Sequence, residues 1–257
     1  MPLAANLAYE DHGGGGDLPP IVFLHGAGGT RLHWPPRLRR LTGWRTFAVD
    51  LPGHGQSPDS GARTVSDHVE SLEAWRRAMG IERAILAGHS MGSAIALTAA
   101  LDAPVSAAGL ALIGSGPRLR VNPALLEGLA DPDRWTETVG QIIAWSFAPQ
   151  ADPRTVELAR RRMLETNRDV LLRDFQACAA FDVASRLAEI EAPTLVLYGA
   201  GDRMTPPALG ESLVSGIPGA QMRVIDGAGH MLMLEQPAAV EAEIRQFLLQ
   251  ARPAAAS

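Results

Sequence analysis

Short apolar runs recur along the first part of the chain and alternate with stretches of helical spacing. The first run ends in a glycine-rich loop and the second at Asp50-Leu51-Pro52-Gly53, and the four runs are Ile21–Leu24, Thr46–Val49, Ala84–Ala87 and Leu110–Ile113. Between the later runs, residues 66–79 and 91–101 carry apolar positions at helical spacing. Strands that are apolar throughout predict a parallel sheet covered by helices on both faces.

The pattern changes after the fourth run. No strand pattern is visible over residues 117–187, and four helices are predicted there, separated at Pro123, Pro132, Pro149 and Pro153. Strand patterns return at Thr194–Tyr198 and Met222–Ile225, and an amphipathic helix over Ala238–Leu249 follows them. A helical insertion between two strands of one sheet accounts for this order.

We therefore predict an α/β fold with a mostly parallel central sheet, helices on both faces and a helical cap. Residues 1–116 and 188–257 are assigned to the core, and residues 117–187 to the cap. An antiparallel edge strand is predicted around Leu3–Tyr9, and the tail Ala251–Ser257 is predicted to fray.

Composition and charge narrow the classes of function. The formal net charge is -5 and there is no block of basic residues, which argues against nucleic acid and anionic membranes as partners. No apolar run approaches the roughly 18–20 residues that span a bilayer, and residues 1–16 lack the pattern of a signal peptide. We expect a cytoplasmic protein that acts on a small molecule.

Lysine is absent from the sequence and cysteine occurs once. The 23 basic residues are all arginine, which excludes a Schiff-base lysine, a P-loop lysine and a Ser–Lys dyad. Cys178 is the single cysteine, so an intramolecular disulfide is excluded. We predict no cofactor and no metal.

The segment Gly88-His89-Ser90-Met91-Gly92 lies between a predicted strand and a predicted helix. In a G-x-S-x-G turn of this kind the flanking glycines leave room for a sharp strand-to-helix turn that exposes the serine hydroxyl. A chance Gly/Ser turn would not need that context. Ser90 is therefore the candidate nucleophile.

A serine nucleophile needs a base and an acid that orients the base. Of the seven histidines, His230 lies in a glycine-rich loop directly after the last strand, whereas the other six are assigned to packing, surface or structural loops. Asp202 follows the strand Thr194–Tyr198 in another glycine-rich loop, while Asp226 stands only four residues before His230. A residue still at its own strand end is badly placed to reach that imidazole, so Asp202 is preferred to Asp226.

The oxyanion of the intermediate needs two preorganised donors. The N–H of Met91 is one candidate, at the positive end of a helix. The second is assigned to Ala27 in the loop after the first long strand, with Gly28 as the alternative. A dinucleotide-binding loop would need glycine at position 31, which is Arg31.

Together these motifs resemble the α/β-hydrolase superfamily, in its group of small, capped, single-domain members. The resemblance rests on residues 24–29, 50–57, 88–92, 201–202 and 229–230 and extends over nearly the whole chain. It implies an eight-stranded, mostly parallel sheet with the cap above the active site. Haloalkane dehalogenases and epoxide hydrolases are similar but carry an aspartate nucleophile, so Ser90 argues against both.

The resemblance leaves several activities open. Our main hypothesis is a carboxylesterase-like enzyme for small to medium apolar acyl groups, held by some of the cap aromatics Trp135, Trp145, Phe147, Phe175 and Phe181. A carbon–carbon bond hydrolase or enol-lactonase would instead need cationic cap residues at the site, such as Arg118, Arg120 or Arg173. A ligand-binding receptor on the same fold is the non-enzymatic alternative.

Overall fold

The apolar runs of the sequence form strands of one central sheet. The computed structural model describes residues 1–14, 16 and 18–250, so the predicted fraying of the tail lies outside the described residues. Within them the sheet has eight strands: β1 (Leu3–Ala4), β2 (Leu7–His12), β3 (Ile21–Leu24), β4 (Thr46–Val49), β5 (Ala84–His89), β6 (Ala107–Ile113), β7 (Thr194–Gly199) and β8 (Gln221–Ile225).

The strand order is β1-β2-β4-β3-β5-β6-β7-β8. Strands β3 to β8 pair in parallel, whereas β2 pairs antiparallel with both β1 and β4. The single edge strand predicted around Leu3–Tyr9 is therefore wrong in one respect, because the chain turns back at Ala5 and Asn6. Both of these residues have positive φ, 42° and 65°, and the tight turn divides the region into two strands.

Helices cover both faces of the sheet. They are α1 (Pro36–Arg39), α2 (Val65–Ala78), α3 (Met91–Asp102), α4 (Pro123–Ala130), α5 (Trp135–Ser146), α6 (Pro153–Glu165), α7 (Arg168–Ala180), α8 (Ala208–Gly216), α9 (Leu232–Glu235) and α10 (Pro237–Gln250). No helix in the described ranges is long and apolar enough to cross a membrane.

Alternate residues of a strand belong to two cores, one on each side of the sheet. Val22 and Leu24 pack in the same cluster as the apolar residues of α2 and α3. Ile21 and Phe23 pack in the other cluster, with residues of α1, α10 and the inserted helices. This two-residue period explains why the strands are apolar throughout.

Helices α4 to α7 all lie between β6 and β7, and α4, α6 and α7 begin at side-chain caps. Pro123 and Pro153 occupy first-turn positions, where a missing N–H costs nothing, and the side chains of Asn122 and Asp152 accept backbone N–H groups of the first turn. At the base of the segment, Arg118 forms an antiparallel bridge with Asp182. Its two ends therefore meet beside the sheet.

Candidate active site

The backbone at Ser90 forms a sharp turn between β5 and α3. Its φ is 52° and its ψ is −115°, a conformation that residues other than glycine rarely adopt. A Cβ atom on Gly88 would lie 2.2 Å from the carbonyl oxygen of Gly92, and one on Gly92 would lie 2.3 Å from the carbonyl oxygen of Leu24. Both glycines of the motif are therefore required by close backbone packing, as expected for a G-x-S-x-G turn.

His230 is paired with Asp202. Nδ1 of the imidazole lies 2.8 Å from Oδ2 of the carboxylate, and both residues are buried. Oδ1 of Asp202 accepts the backbone N–H groups of Met204 and Thr205, at 2.9 and 2.8 Å. The hydroxyl of Thr205 lies 2.9 Å from Oδ2 of Asp202 and 3.1 Å from Nδ1 of His230. The carboxylate is thus fixed in place by four polar contacts.

The loop that carries His230 is held from two sides. Glu235 accepts the N–H groups of Gly229 and Ala148, at 2.9 and 2.8 Å. Burial raises the pKa of Glu235, and these two hydrogen bonds work in the opposite direction. Nε2 of His89 lies 3.0 Å from the carbonyl oxygen of His230 and must donate to it. Burial and the nearby His230 keep the pKa of His89 well below its ordinary value, so this donor is neutral.

Asp226, the rival acid, follows β8 and is exposed. In the described part of the chain no hydrogen bond or ion pair joins it to His230, whereas Asp202 forms both. The structure thus brings His230 to Asp202, as the sequence analysis prefers.

The candidate oxyanion donors are two backbone N–H groups close to Ser90 in the chain or in the cavity. Met91 is the first residue of α3, so its N–H has no acceptor within the helix. Ala27 lines the same cavity as Ser90. The N–H of Gly28, the alternative donor, is already donated to Oδ2 of Asp174 at 2.9 Å. The geometry therefore favours Ala27 over Gly28.

A cavity of about 290 Å³ opens above Ser90 and His230. Three of the five cap aromatics named from the sequence line it: Trp145, Phe147 and Phe175. Trp135 instead packs in the core with the guanidinium of Arg168 over its ring at 5.1 Å, and Phe181 packs in the core on the other side of the sheet. Leu125, Ile142 and Met163 add to the apolar part of the lining.

The charged residues at this cavity are Arg120 and Arg203, both exposed, and no carboxylate lines it within the described residues. Neither arginine forms an ion pair with any residue that the structure describes. Of the other arginines named from the sequence, Arg118 pairs with Asp182 and Arg173 pairs with Asp59, each at 2.6 Å. These two do not line the cavity.

Some residues near the site were not identified from the sequence. His33 lines the cavity rather than serving only in packing, and burial followed by the nearby His54 lowers its pKa to about 4. Arg203 and Thr205, which follow Asp202 closely in the sequence, also line the cavity. Over the described ranges, no group of three or more His, Cys, Asp or Glu side chains is arranged to hold a metal ion.

Comparison with known proteins agrees with this architecture. A model of the alpha/beta hydrolase family matches residues 21–243. A 2-hydroxy-6-oxononadienedioate/2-hydroxy-6-oxononatrienedioate hydrolase from Paraburkholderia phymatum is 32% identical over 267 aligned positions, covering 94% of this chain and 90% of the relative. The solved structure of a thermophilic esterase has a TM-score of 0.83 and 30% identity, covering 95% of this chain and 94% of that chain.

A further solved structure shares the fold at lower identity. The enol-lactonase from Burkholderia xenovorans LB400 has a TM-score of 0.89 and 22% identity, covering 96% of this chain and 100% of that chain. The family model spans most of the chain, and the eight-stranded sheet is the one that the resemblance implies. The chain therefore belongs to the alpha/beta hydrolase family and is a hydrolase.

Proposed function

We propose that the protein hydrolyses carboxylic esters of small to medium apolar acyl groups through an acyl-enzyme on Ser90. The observation that carries this proposal is the buried Asp202–His230 pair beside Ser90, at the floor of a cavity walled by Trp145 and Phe147. The esterase that is 30% identical supports ester cleavage as the reaction.

The protonation state of His230 follows from its partners. Nδ1 faces the Asp202 carboxylate, which only accepts, so Nδ1 carries the proton and Nε2 is the basic nitrogen. Nε2 takes the proton of the Ser90 hydroxyl as its oxygen attacks the ester carbonyl carbon. Asp202 stabilises the imidazolium that forms, while the N–H groups of Ala27 and Met91 stabilise the oxyanion.

Collapse of the tetrahedral intermediate breaks the bond to the alcohol, which leaves with the proton from Nε2. A water molecule then gives a proton to Nε2 and attacks the acyl-enzyme carbonyl. The second collapse returns the proton to the Ser90 oxygen and releases the carboxylic acid. One water is consumed and no cofactor is needed in this sequence of steps.

A second candidate is a carbon–carbon bond hydrolase or enol-lactonase with the same residues at its centre. It is favoured by Arg120 and Arg203, whose unpaired charges at the cavity suit a substrate that bears a carboxylate. The Paraburkholderia relative, named for dienedioate substrates, supports it as well. Of the three hypotheses, a small-molecule receptor is the one that the buried Asp202–His230 pair supports least, because a receptor needs no such pair.

Covalent labelling tests the proposal directly. An alkyl phosphonate should modify the wild-type protein with one equivalent at Ser90, and Ser90→Ala should lose about three to six powers of ten in activity with its fold retained. Hydrolysis of p-nitrophenyl esters of graded chain length should be compared with a lactone and a ring-cleavage dienoate. Labelling at another residue, or full activity without Ser90, would contradict the assignment.

A further inference from the structure

The peptide groups of Gly28 are held by the inserted helices rather than by the sheet. Its N–H donates to Oδ2 of Asp174 on α7 at 2.9 Å, and its carbonyl oxygen accepts the hydroxyl of Thr166, the residue after α6, at 3.1 Å. Gly28 has a φ of 63°, and a Cβ there would lie 2.5 Å from Cδ1 of Leu171. The loop after β3 therefore takes its shape from α6 and α7.

The position of Gly28 affects Ala27 through the hydrogen bond between Gly29 and Gly26. The carbonyl oxygen of Gly26 accepts the N–H of Gly29 at 3.0 Å and lies 2.9 Å from Nδ1 of His25. The Gly26 carbonyl and the Ala27 N–H belong to one peptide group. Because a trans peptide group is planar, the N–H points opposite to the carbonyl, so fixing the carbonyl also fixes the direction of the N–H. Asp174 and Thr166 hold Gly28, and Gly28 leads directly into Gly29, whose N–H fixes that carbonyl.

Asp174 is a buried carboxylate with a second partner. Its Oδ2 also lies 2.8 Å from Nε2 of His54, while Nδ1 of His54 lies 3.0 Å from the carbonyl oxygen of Pro52. Both acceptors lack a proton to donate, so both ring nitrogens of His54 carry hydrogen and the imidazole is a cation. Nε2 of His68 lies 3.9 Å from Oδ1 of Asp174.

The proposed hydrolytic steps use neither Asp174 nor His54. A buried ion pair gives little stability, because removing both charges from water offsets their mutual attraction. What this pair does provide is a fixed acceptor for Gly28, since Asp174 is itself oriented by His54. Its position between the inserted helices and the loop after β3 therefore suits an orienting role.

Building on the proposed function, we infer that Asp174 is a positioning residue that orients the Ala27 N–H toward the oxyanion by fixing the Gly28 peptide. Thr166 assists from the carbonyl side of the same residue. A loss of this alignment weakens binding of a tetrahedral oxyanion more than it weakens binding of the planar ester. The expected signature is therefore a fall in kcat with little change in KM.

An alkyl trifluoromethyl ketone, which adds reversibly to a serine and forms an oxyanion, is the probe for this role. Removing a whole oxyanion donor costs about 10²–10³ in kcat, and misaligning one should cost less. We expect Asp174→Ala in the full chain to weaken ketone binding and lower kcat in parallel by about 10- to 100-fold, with KM changed less than about threefold. Asp174→Asn keeps an acceptor oxygen for Gly28 and should recover most of the loss.

Asp59→Asn is the matched control, because it breaks the neighbouring ion pair between Arg173 of α7 and the core without touching Gly28. It should bind the ketone like wild type. Asp174→Ala that binds the ketone as tightly as Asp59→Asn overturns the inference. If Asp174→Ala does not fold, the Thr166→Val variant is used instead. Ketone binding that is severalfold weaker than in wild type supports the inference, and unchanged ketone binding overturns it.

The two proposals fail in different ways. Wild-type protein that neither reacts with the phosphonate nor binds the ketone would remove the proposed function. Wild-type protein that is labelled at Ser90, together with an Asp174→Ala variant of unchanged ketone affinity, would remove only the role of Asp174.

Discussion

Oδ2 of Asp202 lies 2.8 Å from Nδ1 of His230, although 28 positions separate the two residues in the chain. The two residues meet because β7 and β8 are neighbouring parallel strands, so the loops that follow them lie at the same edge of the sheet. Sequence proximity would have selected Asp226 instead.

This pairing predicts a clear ranking of two carboxylate variants. Asp202→Asn should lower kcat for a p-nitrophenyl ester by about three to four powers of ten, because the imidazole would be held in the wrong tautomer. Asp226→Asn should stay within about threefold of wild type, since surface changes of this kind have small effects. Steady-state kinetics with active-site titration measures both, and the opposite ranking would show that the acid is Asp226.

The aromatic wall of the cavity predicts a dependence on acyl length. Each added methylene should raise kcat/KM about three- to fourfold, from about 0.8 kcal/mol per buried methylene, until the cavity is full. Phe147→Ala should move the optimum to longer chains, because its ring lines the cavity. Trp135→Leu, an aromatic truncation outside the cavity, is the control and should leave the optimum in place. A flat dependence on chain length would rule out the apolar acyl pocket.

The two unpaired arginines at the cavity allow a test of the second candidate function, in which the substrate bears a carboxylate. Arg120→Gln and Arg203→Gln should each raise KM for a succinyl monoester about two- to fivefold, the size of a partly exposed ion pair. The KM for a butyryl ester should not change. Arg118→Gln is the control, because its side chain pairs with Asp182 away from the cavity. Equal effects on both esters would mean that these arginines do not bind a carboxylate.

The buried cation His54 predicts a dependence of stability on pH. Burial works to lower the pKa of His54, but the charge and hydrogen bond of Asp174, together with the carbonyl of Pro52 and the charge of Asp50, raise it above 6.5. The folded state therefore holds this proton more tightly than the unfolded state does. The resulting stability is fully present below the unfolded pKa of about 6.5 and is lost as the pH rises through the folded pKa.

Urea unfolding between about pH 6 and pH 8 measures this loss, below the range in which thiols of an unfolded chain titrate. Measured relative to Asp174→Asn, the wild-type free energy of unfolding should fall as the pH rises, because the variant lacks the carboxylate that holds the proton on His54. The charged and titratable groups that surround His54 are Asp174, Asp50, Asp59, His25, His33 and His68. Burial lowers the pKa of all three of these histidines, so their own contribution to stability rises with pH in both proteins, and the comparison with the variant isolates the effect of Asp174. Parallel slopes for the two proteins would contradict a cationic His54.

Local patterns in the sequence were sufficient for the strands and for the turn at Ser90. Continuous apolar runs identify buried parallel strands, and the glycines at 88 and 92 have a steric reason that depends only on the turn itself. The turn at Ala5 and Asn6 was less visible, because it joins two short strands without a glycine.

Long-range partners were beyond sequence reasoning. The charge of Arg173 is visible in the sequence, but its partner Asp59 lies 114 positions away and becomes its neighbour only through α7. Asp174 contacts Gly28 across 146 positions for the same reason. The contact of Thr205 with Asp202 could have been predicted from the sequence. An aspartate in such a turn accepts the N–H groups of the residues two and three positions later, which places the side chain of the latter residue next to the carboxylate.

The backbone at Ser90 sets function against stability at one position. A residue other than glycine in such a conformation carries about 1–3 kcal/mol of strain, and its φ of 52° is one that glycine adopts readily. Replacing the serine by glycine should therefore give a more heat-resistant protein than replacing it by alanine, and both would be inert. The hydroxyl at position 90 therefore lowers the stability of the fold, and only the chemistry that it performs offsets that cost.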